Sequence, residues 1–482
     1  MEDLILTGGT VVTMDGAYRV ISGGAVAVKD GRITAVGTAE QLAALDAARV
    51  VRTEGKIVLP GLINCHSHAG HCIVGKLETD SMYRWWPMLI EVYENYADAA
   101  FWHADGALHA CAALRNGITT SVNVMGSTPM GDCPEIPASH AAGYAGVGGR
   151  EILGVGIPHA ETYPKTYTRW KNGKRVTVRA GVDDMLAGTE EALKTVHNAH
   201  GGLTQVFVTP HQQLMGHEPG EKNPANLTRL TQLELDINRK VRALARKYAT
   251  QVYTDTYGGW VTLAYTDKEN MLLGEDVLIG MEHVAATDYR EVQIIAETGT
   301  KVYYTSEGLY KRVPVSELMA LGVPVSITTN GCAPRTTLDL LEALRRAVLA
   351  ERIFHDDAAY LHAARALACV TTDAARCIGR AHDLGSLEAG KCADIAVLDA
   401  SRADMLPLTD PLSRIVTNAA GGDFCMTIVG GKVVFEDGTI RTVDERDVLR
   451  EADEVHARMV RDLKLEDYAC KPIWGKTRME FI

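Results

Sequence analysis

The sequence has no CxxC pair, no GxGxxG after its first strand-like run, no basic excess and no apolar run long enough to span a membrane. Its ten cysteines fall without framework spacing, which predicts reduced, partly buried thiols in a cytoplasmic protein rather than a disulfide scaffold. The missing glycine fingerprint argues against a doubly wound dinucleotide-binding sheet. A net charge of −12 predicts no binding to nucleic acid, which needs a basic surface. The same charge gives no reason to expect an anionic membrane as partner. "YRVISGGAVAVKDGRITAVG" is broken by Gly, Lys, Asp and Arg, so no membrane span is expected. No basic segment followed by an apolar one opens the sequence, so no signal peptide is expected.

What is present is ordinary for a globular enzyme-sized chain. The 482 residues are 46% hydrophobic and 23% charged, enough for a large domain and a smaller one. The first 57 residues read as short strands separated by Gly and Asp turns, as in a small antiparallel sheet. That texture returns over 385–442, where "IVGGKVVFEDG" resembles the earlier "VKDGRITAVG". One β-sandwich assembled from both chain ends is the economical reading. Between them, over 58–384, strand-like runs such as "LTQVFVTP", "TQVYTD", "DVLIG" and "VPVSITT" alternate with helical stretches such as "TRLTQLELDINRKVRALARKYA". Such alternation predicts parallel βα units, and about eight of them fit a distorted (β/α)8 barrel. Residues 443–482 predict a helical extension, apolar on one face and charged on the other.

"LINCHSHAGH", Leu62 to His71, is the strongest chemical signal. His66 and His68 share a face if this run is a strand, and two imidazoles on one face can hold one metal ion. Cys65 and Cys72 flank them, and small thiols more often pack than ligate. Polar residues also close the later strand-like runs: His159, His211, Asp255, His283 beside Glu282, and Asn330. In a parallel barrel those ends form the active face. Asp255 supplies the carboxylate that completes a two-histidine metal set, one that suits iron or manganese as well as zinc. His283 suits proton transfer near neutral pH. Asn330, followed by glycine, reads by itself as a turn. His71, His159 and Glu282 receive no role, Trp85 and Trp86 read as core or lid, and Cys332 carries no mark of a thiolate.

Three phrases, "KIVLPGLINCHSH", "LMALGVPVSITTNGCAP" and "LGSLEAGKCADIAVLD", resemble the amidohydrolase superfamily, in particular its cytosine deaminase, guanine deaminase and s-triazine hydrolase branch. The resemblance implies a metal-bearing barrel with a β-sandwich, assembled as a homodimer or larger homo-oligomer, acting on a small molecule. It places His66 and His68 as ligands on the first barrel strand. His211 becomes a substrate-contacting residue after the fourth strand and His283 the histidine of the sixth. Two positions depart from the family. Where the family reads roughly "HTHAAET" this chain reads "YTDTYGG", so Asp255 takes a ligand histidine's place and Gly258 the place of the proton-shuttling glutamate. Where the family has "TDG" this chain has "TNG", so Asn330 replaces an aspartate that binds metal and accepts a proton. A neutral amide oxygen can ligate but cannot act as a base.

The expected site is therefore one divalent ion (zinc, iron or manganese) on His66, His68, Asp255 and Asn330, with His283, His211 and Asn330 around the substrate. The expected reaction is hydrolysis of a C–N bond, or of a bond to halide or a similar leaving group, in a nitrogen-rich heterocycle or amidine. The alternatives are a non-hydrolytic lyase, isomerase or decarboxylase, an iron-dependent enzyme on the same fold, or a non-catalytic homologue.

Overall fold

The computed structural model describes residues 1–75, 77, 82–128, 130–158, 163–171, 174–210, 229–256, 259–280, 289–306, 313–333 and 336–468. Eight parallel strands form the barrel, and neighbours in sequence are neighbours in space: β1 (Leu62–Ala69), β2 (Ile118–Met125), β3 (Arg150–Ile157), β4 (Thr204–Pro210), β5 (Val252–Asp255), β6 (Val277–Gly280), β7 (Lys301–Thr305) and β8 (Val325–Thr328). Their runs are buried on both faces, as parallel strands wrapped by helices must be.

β1 and β8 meet at a seam held by side chains and a neighbouring segment. The Asn64 amide donates to Thr329 Oγ1 at 2.8 Å, and the Thr329 N–H donates back to Asn64 Oδ1 at 3.2 Å. Ile63 and Ile327 donate their N–H groups to the carbonyls of Val370 and Cys369. Buried backbone groups that lack a strand partner are satisfied in this way.

The chain ends build a separate nine-stranded sheet, joined where Lys56–Pro60 runs antiparallel to Ile395–Asp399. The expectation of an antiparallel sheet is corrected in part, because Glu2–Val12 pairs parallel with Ala47–Arg52 and with Lys56–Pro60. "KIVLP" thus belongs to this sheet, and the barrel's first strand starts after Gly61. The two similar phrases are both hairpins, and each turns through two residues of positive φ, Asp30-Gly31 and Gly430-Gly431. That geometry is the tight turn that follows the strands' own twist. The turns touch: a Cβ on Gly31 would sit 3.0 Å from the Gly430 carbonyl oxygen.

Arg150, at the start of β3, fixes the barrel to this sheet through a buried two-pronged pair with Asp394, at 3.0 and 3.2 Å. Helix Gln232–Lys247 begins with a reciprocal cap between Thr231 and Glu234. Helix Glu445–Leu463 forms from the charged tail, buries Ala452, Val455 and Met459, and exposes most of its charges. Two further strands, Lys165–Lys171 and Lys174–Ala180, pair antiparallel with each other. No helix among the described residues is long and apolar enough to cross a membrane.

Candidate metal centre

Inside the barrel, Ile63, Cys65, Phe207, Tyr253, Leu278 and Tyr303 form a single apolar cluster. The pairing of β1 with β2 shifts register between Asn64 and Ser67. Such a bulge resets the alternation of side chains. His66 then follows Cys65 inward: its ring stacks on Tyr303 at 4.4 Å between centroids. Cys65 touches the Ala374 carbonyl at 3.4 Å, and burial pushes its thiol pKa up to about 12. It packs; it is not a nucleophile.

At the strand's end, His66 Nε2 and His68 Nε2 both lie 2.8 Å from Asn330 Oδ1. All three side chains are buried. Asn330 sits two residues beyond β8 at φ +58°, a left-handed conformation that asparagine tolerates better than most residues. The remaining ring nitrogens have hydroxyl partners, Ser127 Oγ for His68 Nδ1 at 2.8 Å and the Tyr253 phenol for His66 Nδ1. Both hydroxyl oxygens can accept from an Nδ1–H. An amide oxygen only accepts, so the two 2.8 Å contacts are Nε2–H donations; with the proton on Nδ1 instead, both Nε2 lone pairs would face the same space, as metal-binding histidines require. The donor set therefore fits a divalent ion: two imidazole nitrogens and one amide oxygen converge, with both rings oriented from behind.

Asp255 ends β5 and is buried. The Tyr303 phenol donates to its Oδ1, and the same Tyr303 ring stacks on His66. The structure thus connects Asp255 to the histidine pair through Tyr303. His71 is buried, stacked on His68 at 4.5 Å and edge-on to Trp85 at 5.7 Å. Trp85 belongs to the core while Trp86 is exposed. Cys72 and Cys332 bring their sulfurs to 3.2 Å beside the site. His159, His211, Gly258, Glu282 and His283 lie outside the described residues. Sequence reasoning missed Tyr253, Tyr303 and Ser127. Tyr253 alone carried a signal, standing two residues before Asp255 on one strand face.

A barrel whose strand ends gather these groups defines a class. The amidohydrolase family profile matches residues 57–434, and the chain belongs to that family, as a metal-dependent hydrolase. A shorter match, to an imidazolonepropionase-like composite domain of bacteria, covers residues 24–45.

Among curated relatives, a 5-methylthioadenosine/S-adenosylhomocysteine deaminase of Symbiobacterium thermophilum is 29% identical, over 96% of this chain and 100% of its own length. A 5'-deoxyadenosine deaminase of Methanopyrus kandleri is 27% identical, over 94% and 98%. Among solved structures, an adenosine deaminase from Xanthomonas campestris with bound zinc superposes with a TM-score of 0.78 at 22% identity, covering 95% of this chain and 98% of that one. A mutant atrazine chlorohydrolase from Arthrobacter aurescens, complexed with zinc and atraton, gives 0.78 at 19% identity, over 94% and 100%. These last two likenesses establish the fold.

Proposed function

We propose that the chain hydrolyses a small, planar, nitrogen-rich heterocycle of the adenine-nucleoside or s-triazine type, using a single divalent ion held by His66, His68 and Asn330 with Asp255 nearby. The observation that carries this reading is the convergence of the two Nε2 atoms on one amide oxygen. The relatives named for adenosine-type and triazine substrates support the substrate class.

A divalent ion in this position supplies a Lewis acid that acidifies a water near neutral pH. The rest falls to the chain's own residues. Ser127 and Tyr253 hold the two imidazoles in one tautomer and orientation. Asn330 ligates without being able to take a proton. Asp255, positioned by the Tyr303 phenol, is the carboxylate available at the strand ends. We assign substrate contact to His211 and proton transfer to His283. Gly258, in the glutamate's place, offers no acid for a departing ammonia. The substrate we favour therefore either carries a leaving group that departs without protonation, such as halide, or has its departing amine protonated by His283.

One observation favours a second reading. The carboxylate that the family places after β8 is an amide here, so the site resembles a Lewis acid without its usual base. A lyase, isomerase or decarboxylase would use such a site. Turnover in ¹⁸O-labelled water separates the two: hydrolysis places the label in the product, and unlabelled product overturns it. Metal analysis with His66→Ala tests what the readings share, since the variant is expected to lose both the ion and turnover. We further propose a cytoplasmic homodimer or larger assembly, which sedimentation of the purified protein tests.

A further inference from the structure

Behind the histidine pair, away from the barrel interior, lies a second set of buried polar groups. Asp105 and His109 stand four residues apart on helix Ala99–Arg115, and His140 is on helix Glu135–Val147. Glu151 is on β3 and Asn123 on β2. All five are buried.

The two helices approach very closely. A Cβ on Gly106 would lie 2.2 Å from the His140 carbonyl oxygen, and one on Gly143 would lie 2.1 Å from that of His103. Only glycine permits this crossing, and the crossing brings the His140 ring between two carboxylates. Its Nε2 is 3.1 Å from Asp105 Oδ2 and its Nδ1 is 2.9 Å from Glu151 Oε1. Asn123 donates to the same Glu151 oxygen at 2.5 Å. Burial opposes the imidazolium, but Glu151 and Asp105 more than reverse that penalty and push the His140 pKa up to about 10. His109, by contrast, is held neutral: burial lowers its pKa to about 4 against the pull of Asp105.

This network grips the metal-binding turn at three points. Asp105 accepts from the N–H of Gly70 at 2.5 Å and from the N–H of Ile73 at 3.0 Å. His109 Nε2 lies 3.4 Å from the hydroxyl of Ser67, the residue between His66 and His68. The backbone is thereby fixed on both sides of His68.

Asp105, His109 and His140 also offer donor atoms within 4.8 Å of one another, which raises the question of a second ion. The His140 Nε2–H points along its 3.1 Å bond to Asp105. Its Nδ1 faces Glu151 at 2.9 Å, so the imidazolium keeps a proton on each nitrogen and offers no lone pair to an ion.

We infer that the Asp105–His140–Glu151 network, with His109, is a positioning device that sets the geometry, and hence the metal affinity, of the His66–His68 pair. The inference rests on the metal reading proposed above. Outer partners of metal ligands are worth about 10- to 100-fold in affinity, and here they act through backbone N–H groups and Ser67.

The test is zinc binding to the full-length apoprotein by chelator competition, with visible absorption of the cobalt-loaded protein as a second readout. Asp105→Asn, which cannot serve both N–H groups through equivalent oxygens, is expected to weaken zinc binding about tenfold or more and to shift the cobalt bands. Glu151→Gln, which keeps the shape and removes one charge beside His140, is expected to do so several-fold and decides the matter if Asp105→Asn does not fold. A variant that melts cooperatively as apoprotein yet binds zinc within twofold of wild type, with unshifted bands, overturns the inference. Wild-type protein that takes up no ion, or His66→Ala that keeps it, overturns the underlying metal reading instead.

Discussion

The Tyr303 phenol donates a hydrogen bond to Asp255 Oδ1 in the buried interior of the barrel. Two strands, β5 and β7, are locked together there across β6, and the same ring carries His66. Tyr303→Phe keeps the ring and deletes only the donor. Removing a donor to a buried carboxylate costs about 1–3 kcal/mol, so the variant is expected to unfold at a lower urea midpoint with an unchanged slope.

Asn330 stands where the family resemblance implies an aspartate, and the backbone at φ +58° accepts either residue. Asn330→Asp adds a negative charge where two imidazole nitrogens converge. Zinc affinity is expected to rise about tenfold, equivalent to ~1.4 kcal/mol, as measured by chelator competition. An unchanged affinity would show that this oxygen does not face the ion.

Arg150 and Asp394 join the barrel to the sheet made by the chain ends, and both are buried. Asp394→Ala leaves a guanidinium buried beside an empty space, and such a loss costs about 3–5 kcal/mol. The double variant Arg150→Met with Asp394→Leu removes both charges and is expected to recover much of that in a denaturant melt.

Stability should depend on pH through His140 and Asp105. The His140 pKa is raised from 6.5 to about 10 on folding. Its contribution is therefore fully present below 6.5 and is lost as pH rises through about 10. Asp105 is shifted the other way: burial resists its charge, but the His140 contact holds it below 3.8, so its contribution is lost only as pH falls below that value. The melting temperature is expected to fall progressively toward pH 10, and His140→Gln should flatten that alkaline limb.

The barrel was legible because each βα unit writes its period locally. Apolar runs such as "LTQVFVTP" and amphipathic runs such as "TQLELDINRKVRALARK" declare themselves without their neighbours. The same locality made His66 and His68 legible, since one residue of separation on a strand decides a shared face. The antiparallel reading of the terminal sheet held for most pairings and missed the two parallel ones for the opposite reason. Whether Glu2–Val12 pairs parallel or antiparallel with Lys56–Pro60 depends on where the chain passes between them, and the strand's own alternation is silent about that.

By itself, then, the sequence determined the strand and helix content, the histidine pair and the odd residues that stand opposite it, Asp255 and Asn330. Tertiary structure decided how those groups are used. A register shift beside Cys65 turned His66 onto Tyr303; closure of β1 against β8 brought Asn330 to both imidazoles; a glycine-to-glycine helix crossing placed His140 between Asp105 and Glu151. The physical reason is distance along the chain. Asn330 follows His66 by 264 positions and Tyr253 follows it by 187, so no local period can encode their meeting. Only the closed barrel, held by the whole core, brings them within hydrogen-bonding reach.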